Sequence, residues 1–433
     1  MKPIQLPDKL LLKNVRLVDA EQNIDQPGSL LIESGVITAL NTDADDATVW
    51  DLDGAVVCPG FVDMHVHLRE PGFEDAETIK SGQKAAAAGG FTAVACMPNT
   101  NPALDHAGIV RWIIEEAESF PITVYPIAAI TKNRAGLELT EMVELHRAGA
   151  LAFSDDGGCV ENTELMRRAL EYSKLTGAPI IDHAEDFKLT GAGSMHESAV
   201  STRLGLPGIP RLSEDIMTVR DVMLAEYTGG KLHLAHVSTK GALEALEDAL
   251  KRGLPVTGEV SPHHLLLTDK AVESFDTSTK MKPPLREEED RLALIEGMKR
   301  GAFAAIATDH APHPYETKEV PFDEAAFGII GLETALGLIW DRFVRTKVIS
   351  AADMVRLFSN GPRQVLGLPE VSLTAGTPVE LTVFHPDEKW VVNAKEFYTK
   401  SRNTPFNGWE LIGRPWGILK GSMWAGRVTP SFK

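Results

Sequence analysis

Val56-Val57-Cys58-Pro59-Gly60-Phe61-Val62-Asp63-Met64, running directly into His65-Val66-His67-Leu68-Arg69, is the stretch whose reading decides the fold. An apolar run of this kind reads as a buried strand. Side chains two apart on a strand share a side, so His65 and His67 point to one face. Two imidazoles there supply half of a tetrahedral metal site, at a separation that backbone stiffness fixes. Arg69 continues the alternation and turns a permanent cation with a planar fork toward the same cavity, which suits an anionic substrate.

Seven further apolar runs follow that strand: Phe91 to Met97, Thr123 to Ile130, Ala150 to Ser154, Ala178 to Asp182, Leu232 to His236, Val256 to Val260 and Ala302 to Thr308. Helical stretches of mixed charge separate them. In Gly241 to Arg252, for example, Ala242, Leu246, Ala249 and Leu250 fall on one face, Ser238 or Thr239 caps the start and Gly253 follows the end. Strands alternating with helices imply parallel βαβ units, and eight of them close a (β/α)8 barrel of the TIM type.

On either side of the barrel the texture changes. Short β-rich runs between Leu10 and Val57, punctuated by Gly28, Gly35 and Gly54, predict a small sheet. After about Leu366 a strand-like run returns, Val379-Glu380-Leu381-Thr382-Val383-Phe384. Neither piece buries enough surface alone, so the expectation is a composite β-sandwich built from both termini. The predicted boundaries are 1–57 and 366–433 for that sandwich and 58–365 for the barrel.

Composition narrows the partners. The chain of 433 residues has 43 Lys and Arg against 61 Asp and Glu, a net charge of -18, with no long basic block. Nucleic acid and anionic membrane surfaces are therefore excluded as natural partners. The opening residues are too polar for a signal peptide and no apolar stretch approaches the ~20 residues of a membrane span, which predicts a cytoplasmic protein. The 3 cysteines, Cys58, Cys96 and Cys159, sit in apolar or Gly-rich sequence and read as reduced packing residues.

Active-site residues of such barrels gather at the C-terminal ends of the strands, and here those ends are rich in ligands. His65, His67 and Arg69 follow the first strand, Asn99 the second, Asp155 and Asp156 the fourth, His183 the fifth, His236 the sixth, and Asp309, His310 and His313 the eighth. Four histidines and two aspartates suffice for two divalent metals, and imidazole plus carboxylate without thiolate suits Zn²⁺. The expected division gives His65 and His67 to one metal and His183 and His236 to the other, with Asp155 as the bridge. Asp309 would ligate the first metal and accept a proton from the bridging water, whose pKa metal binding brings near neutrality. This is the chemistry of metal-assisted amide hydrolysis. Asp156 is expected to form the turn before Gly157-Gly158. The adjacent His263 and His264 would face opposite sides of a strand, and His106, His146, His196, His233 and His385 are assigned structural or surface roles.

The segments Phe61 to Gly72, Met97-Pro98-Asn99-Thr100 and Ala307-Thr308-Asp309-His310-Ala311-Pro312-His313 resemble the dihydroorotases of the amidohydrolase superfamily, the bacterial class I type in particular. The similarity runs on through Ser154-Asp155-Asp156-Gly157, Asp182-His183-Ala184-Glu185, Ala235-His236-Val237-Ser238 and Phe327 to Thr334. It implies a binuclear zinc hydrolase of de novo pyrimidine (UMP) biosynthesis that interconverts (S)-dihydroorotate and N-carbamoyl-L-aspartate. The implied metal ligands are His65, His67, Asp155, His183, His236 and Asp309, holding two Zn²⁺ bridged by Asp155 and hydroxide, with Asp309 as the catalytic acid and base. The implied substrate contacts are His67, Arg69, Asn99, His313, Phe327 and Gly328. Two assemblies also follow from the resemblance: a homo-oligomer and a complex with aspartate transcarbamoylase. Two positions depart from the family pattern: Lys282 stands where Asn is common, and Ala326 where Pro is usual.

Two other readings remain open on the sequence. Dihydropyrimidinases, hydantoinases and allantoinases typically bridge their metals with a carboxylated Lys after the fourth strand, and Leu151 to Gly158 contains no Lys. A non-catalytic scaffold for aspartate transcarbamoylase would lack ligands that this chain retains.

Overall fold

The computed structural model describes residues 1–432. Eight parallel strands form the central sheet: β1 (Phe61–Val66), β2 (Phe91–Cys96), β3 (Thr123–Ala128), β4 (Ala152–Phe153), β5 (Ile180–Asp182), β6 (Leu232–Leu234), β7 (Val256–Val260) and β8 (Ala305–Ile306). They pair in chain order. The ring closes where the His67 amide donates to the His310 carbonyl at 2.9 Å and Val66 bridges His310. All eight expected strands are present, and the architecture is a (β/α)8 barrel.

Alternation along the strands separates two apolar layers. Met64, Ala93, Ala95, Ile127, Ala152, Ile181, Ala235 and Ala305 fill the barrel interior, whereas Val66, Phe91, Val94, Val124 and Phe153 pack outward against the helices. Strand β1 breaks this rhythm. Asp63 pairs Val94 and Val66 pairs Cys96, so three residues of β1 oppose two of β2. The resulting bulge lets His65 face inward although Met64 before it already does, and bulges of this kind commonly re-aim a side chain beside a site. The helix Lys240–Lys251 is capped by Thr239, and Leu243 rather than Leu250 completes its buried face; Leu250 stays 38% exposed at the last turn.

The termini join as expected into one mixed sheet of nine strands. Glu380–Val391 runs antiparallel to Val56–Pro59, with Leu381 opposite Pro59 and Thr382 opposite Cys58. Leu10, Leu17, Ile32, Trp50, Val57, Leu381, Leu419 and Trp424 form its own core. The sheet therefore grips the chain one residue before β1 begins. Gly60 makes that join, because a Cβ there would lie 2.4 Å from Thr92 Oγ1. Beneath the barrel Glu380 accepts from Thr92 at 2.7 Å and pairs with the buried Arg363 at 2.5 Å. Among the described residues no helix is long and apolar enough to cross a membrane.

Candidate active site

At the C-terminal mouth of the barrel lies a cavity of about 270 Å³ lined by His67, Arg69, Asn99, Asp156, His183, His236, Lys282, Asp309, His313, Phe327 and Gly328. A larger hollow of about 400 Å³ near Asp341, Trp390 and Leu411 has no histidine in its lining, so size alone does not locate the chemistry. His65 is fully buried just beneath the first cavity. Its Nε2 is 3.2 Å from Asp156 Oδ1 and 3.6 Å from Asp309 Oδ1. His67 Nε2 lies 2.9 Å from Asp309 Oδ1, and His183 Nδ1 lies 2.9 Å from His236 Nε2.

The expected bridge, Asp155, is not in this cluster. Its Oδ1 accepts from the amides of Ile130 (2.9 Å) and Thr131 (3.0 Å), and its Oδ2 accepts from the Thr131 hydroxyl. Both oxygens are thus spent bracing the end of β3 against the end of β4. Asp156 takes the central position instead: beyond its contact with His65, its Oδ1 lies 3.5 Å from His183 Nδ1 and 3.6 Å from His236 Nε2, and its Oδ2 3.5 Å from His67 Nε2. Adjacent residues on extended chain face opposite ways, so only one of the pair enters the barrel. The turn role expected for Asp156 and the bridging role expected for Asp155 are both corrected by this geometry. Arg134, which sequence reading did not single out, holds the Asp156 carbonyl at 2.7 Å.

The outer nitrogens of the histidines show what the inner ones are for. His65 Nδ1 donates to Glu259 Oε1 at 2.6 Å, His67 Nδ1 to Asn99 Oδ1 at 2.8 Å and His183 Nε2 to Glu185 Oε2 at 3.1 Å. With the proton fixed on the outer nitrogen, each inner nitrogen turns a lone pair toward carboxylate oxygens, an arrangement that only a cation between them satisfies. His65 Nε2, Asp156 Oδ1 and His236 Nδ1 are buried without any hydrogen-bond partner. Ligand atoms of His65, His67 and Asp309 all lie within 4.8 Å of one another, and those of His65, Asp156 and His236 do likewise. The donor set fits divalent metal. Burial opposes the His183 imidazolium, but Asp156 and Glu185 outweigh it and raise its pKa to about 10. Burial also works against ionised Asp309, yet His65 and His67 bring its pKa below the usual carboxylate range.

Glu259 also accepts from His233 at 3.2 Å, which places the structurally assigned His233 behind His65. A lone carboxylate within Val256-Thr257-Gly258-Glu259-Val260 was the available signal, since a buried charge demands partners. Replacing Glu259 with Gln is expected to weaken metal binding about 10- to 100-fold through loss of this charged acceptor. Metal-binding isotherms of the variant check this, and an unchanged affinity would show that Glu259 only fills space.

Across the cavity stands the basic wall. Burial lowers the Arg69 pKa to about 10 against the pull of Asp309 and Asp156, which leaves a cation at neutral pH. Its Nε donates to the Pro312 carbonyl at 3.1 Å. Burial, with Arg69 and Lys318 nearby, lowers His313 to about 3, and this neutral ring donates through Nε2 to the Phe327 carbonyl at 2.7 Å. At Gly328, φ 152°, a Cβ would lie 2.8 Å from the Ala311 carbonyl oxygen, so only glycine fits. Arg69 (φ 64°), His236 (φ 32°) and Asp309 (φ 47°) all adopt left-handed backbone, strain of the kind that gathers at functional sites. Lys282 pairs with Glu185 at 3.0 Å and lies 5.4 Å from the centre of the Phe327 ring.

Asn403 ties this wall together from the terminal segment. Its Nδ2 donates to the carbonyls of Ala311 (2.9 Å) and Gly328 (3.0 Å), and its Oδ1 accepts from the His313 amide at 3.3 Å. No local pattern in the sequence marks it. His263 and His264 lie on a short helix, Pro262–Leu266, not a strand, and His264 Nε2 donates to the Pro283 carbonyl at 3.0 Å.

The fold has close counterparts among solved structures. An L-hydantoinase (dihydropyrimidinase) from Arthrobacter aurescens superimposes with a TM-score of 0.86 at 23% identity, covering 98% of each chain. A dihydropyrimidinase from Brevibacillus agri NCHU1002 gives 0.83 at 22% identity, covering 97% of this chain and 95% of the other. These likenesses show the fold, a barrel that here carries a histidine and carboxylate cluster at its mouth. Residues 54–242 match the dihydro-orotase-like family model. A dihydroorotase from Syntrophus aciditrophicus is 47% identical over 94% of this chain and 96% of its own, and one from Pelotomaculum thermopropionicum 46% identical over 97% and 98%. The chain belongs to the dihydroorotase family.

Proposed function

We propose that this protein interconverts (S)-dihydroorotate and N-carbamoyl-L-aspartate in pyrimidine biosynthesis, a reading carried by the half-buried Arg69 cation facing the histidine and carboxylate cluster across one small cavity. Dihydroorotate carries a carboxylate that hydantoin and dihydrouracil lack, and a guanidinium binds such a group through two parallel hydrogen bonds. Asn99, His313 and the backbone at Phe327 and Gly328 offer the neutral donors and acceptors that a flat cyclic amide requires.

His65, His67 and Asp309, and His183, His236 and Asp156, would hold two zinc ions, which when bound supply Lewis acidity and lower the pKa of an attacking water. Asp309 accepts the proton of the attacking water as the water oxygen joins the carbonyl carbon. When the carbon to ring-nitrogen bond breaks, Asp309 returns the proton to the leaving nitrogen, and the reverse steps close the ring. Arg69 holds the spectator carboxylate throughout. Its hydrogen bond to the Pro312 carbonyl ties it to the loop after β8 that carries His313.

Turnover of dihydroorotate, hydantoin and dihydrouracil by the metal-loaded protein tests the reading. A preference for dihydroorotate supports it, and a preference for either neutral ring would assign the chain to the other cyclic amidases. Arg69→Lys is expected to raise KM for dihydroorotate about 10- to 100-fold, the equivalent of losing one charged hydrogen bond. The KM of a neutral analogue should stay within a few-fold, and an equal rise for both would remove Arg69 from the carboxylate site.

A further inference from the structure

Beyond the contacts of His313 and Asn403, two buried lysines fasten the chain around Phe327 and Gly328. Lys318 Nζ donates to the Ala326 carbonyl at 2.6 Å, immediately before Phe327, and to the Thr277 carbonyl at 3.0 Å. Lys280 Nζ crosses the other way, donating to the Asp323 carbonyl at 2.9 Å and standing 4.5 Å from the centre of the Phe327 ring. The segment 277–282 and the loop 314–328 are thus stapled reciprocally, each by a lysine that reaches a carbonyl of the other. The Gly328 amide adds a third link, donating to the Lys280 carbonyl at 2.9 Å. Both segments reach the site, since Lys282, Phe327 and Gly328 line the cavity.

These staples are made at a cost. Lys280 is 2% and Lys318 6% exposed, and neither ammonium forms an ion pair among the described residues. Burying a cation without a counter-charge is unfavourable, and burial together with Lys280 lowers the Lys318 pKa to about 7 against the pull of Asp276. The two short bonds of Lys318 hold in either charge state, because a neutral amine still carries two N–H donors. An apolar side chain would fill the same space more cheaply. What the amines add is the link between the two segments.

We propose that Lys318 and Lys280 are positioning residues for ring recognition: by stapling the loop 314–328 to the segment 277–282 they set the Phe327 and Gly328 backbone against which a cyclic amide binds. On the reading of the cavity as a cyclic-amide site, this wall meets the ring alike in the ground and transition states, so its displacement weakens binding without slowing the bound reaction. Neither lysine lines the cavity, and the histidine and carboxylate cluster keeps its own fastenings.

Steady-state kinetics of the full metal-loaded chain, with metal content determined alongside, read the outcome. Lys318→Met should raise KM about tenfold, in line with the loss of hydrogen bonds from a charged donor, and leave kcat within about threefold and the metal content unchanged. Lys318→Arg, which keeps N–H donors, should lie closer to the wild type. Lys280→Met should also raise KM, and the double variant by less than the product of the two effects, because losing either staple frees the same loop. The two single variants remove different side chains, so one serves where the other fails to fold. Amide exchange across 314–328 should quicken in both, a readout that requires no turnover. The kinetic probe is whichever of dihydroorotate, hydantoin and dihydrouracil the wild type turns over, so failure of the dihydroorotase reading shows in the wild type and failure of the staples only in the variants. A lower kcat at unchanged KM would mean that the lysines only support folding, and wild-type KM and exchange in both variants would mean that the wall stands without them; either result overturns the proposal.

Discussion

Asp156→Asn is expected to strip the site of metal and to reduce kcat/KM by roughly 10²- to 10⁴-fold, whereas Asp155→Asn should retain both metal and most of the activity. The two carboxylates face different partners. Asp156 stands among His65, His183 and His236, with its Oδ1 buried and without a hydrogen bond. Removing one partner from a buried charge cluster costs about 3–5 kcal/mol, and each 1.4 kcal/mol is tenfold. An asparagine amide has one neutral oxygen and a nitrogen with no lone pair to give, so it replaces neither the charge nor the second contact. Asp155, by contrast, receives two amides and a hydroxyl from Ile130 and Thr131. Losing charge there weakens hydrogen bonds between β3 and β4, an effect of about 1–3 kcal/mol on folding stability. Metal analysis and thermal denaturation of the two variants separate these outcomes, and loss of metal from Asp155→Asn with Asp156→Asn intact would reverse the assignment.

The next largest effect is expected at Asp309, and it differs in kind. Asp309→Asn should leave metal largely bound, because His65 and His67 still converge on one point, while kcat falls by about 10²- to 10⁴-fold for want of a group that accepts and returns a proton. The substrate KM should change little, since the carboxylate contact belongs to Arg69. Its left-handed backbone, φ 47°, is retained by asparagine better than by most residues, so the substitution probes chemistry and not folding. Steady-state kinetics alongside metal content decides the matter, and metal and activity falling together would make Asp309 chiefly a ligand.

Most of this site was legible because a barrel converts sequence order into geometry. Once eight apolar runs are counted, whatever polar residue follows each is delivered to the same mouth, which is how His65, His67, His183, His236 and Asp309 came together. The rule fails where it must choose between neighbours. Asp155 and Asp156 both follow β4, and their fates depend on Thr131, a residue at the end of another strand whose hydroxyl and amide claim the first of them. It fails again for contacts that come from far along the chain. Asn403 reaches Ala311 and Gly328 only because Glu380–Val391 pairs with Val56–Pro59 and returns the C-terminal segment to the barrel. Likewise Pro262 begins a helix at a point where His263 and His264 were read as extended chain.

On the proposed function, this cluster of histidines and aspartates, with Arg69 opposite, makes a metal-dependent dihydroorotase. Metal content and dihydroorotate turnover determined on one preparation, first stripped by a chelator and then titrated with zinc, test it most directly. The expected result is negligible turnover in the stripped protein and activity that rises with zinc to a plateau at two ions per chain. No turnover of dihydroorotate in either direction with two ions bound would contradict it.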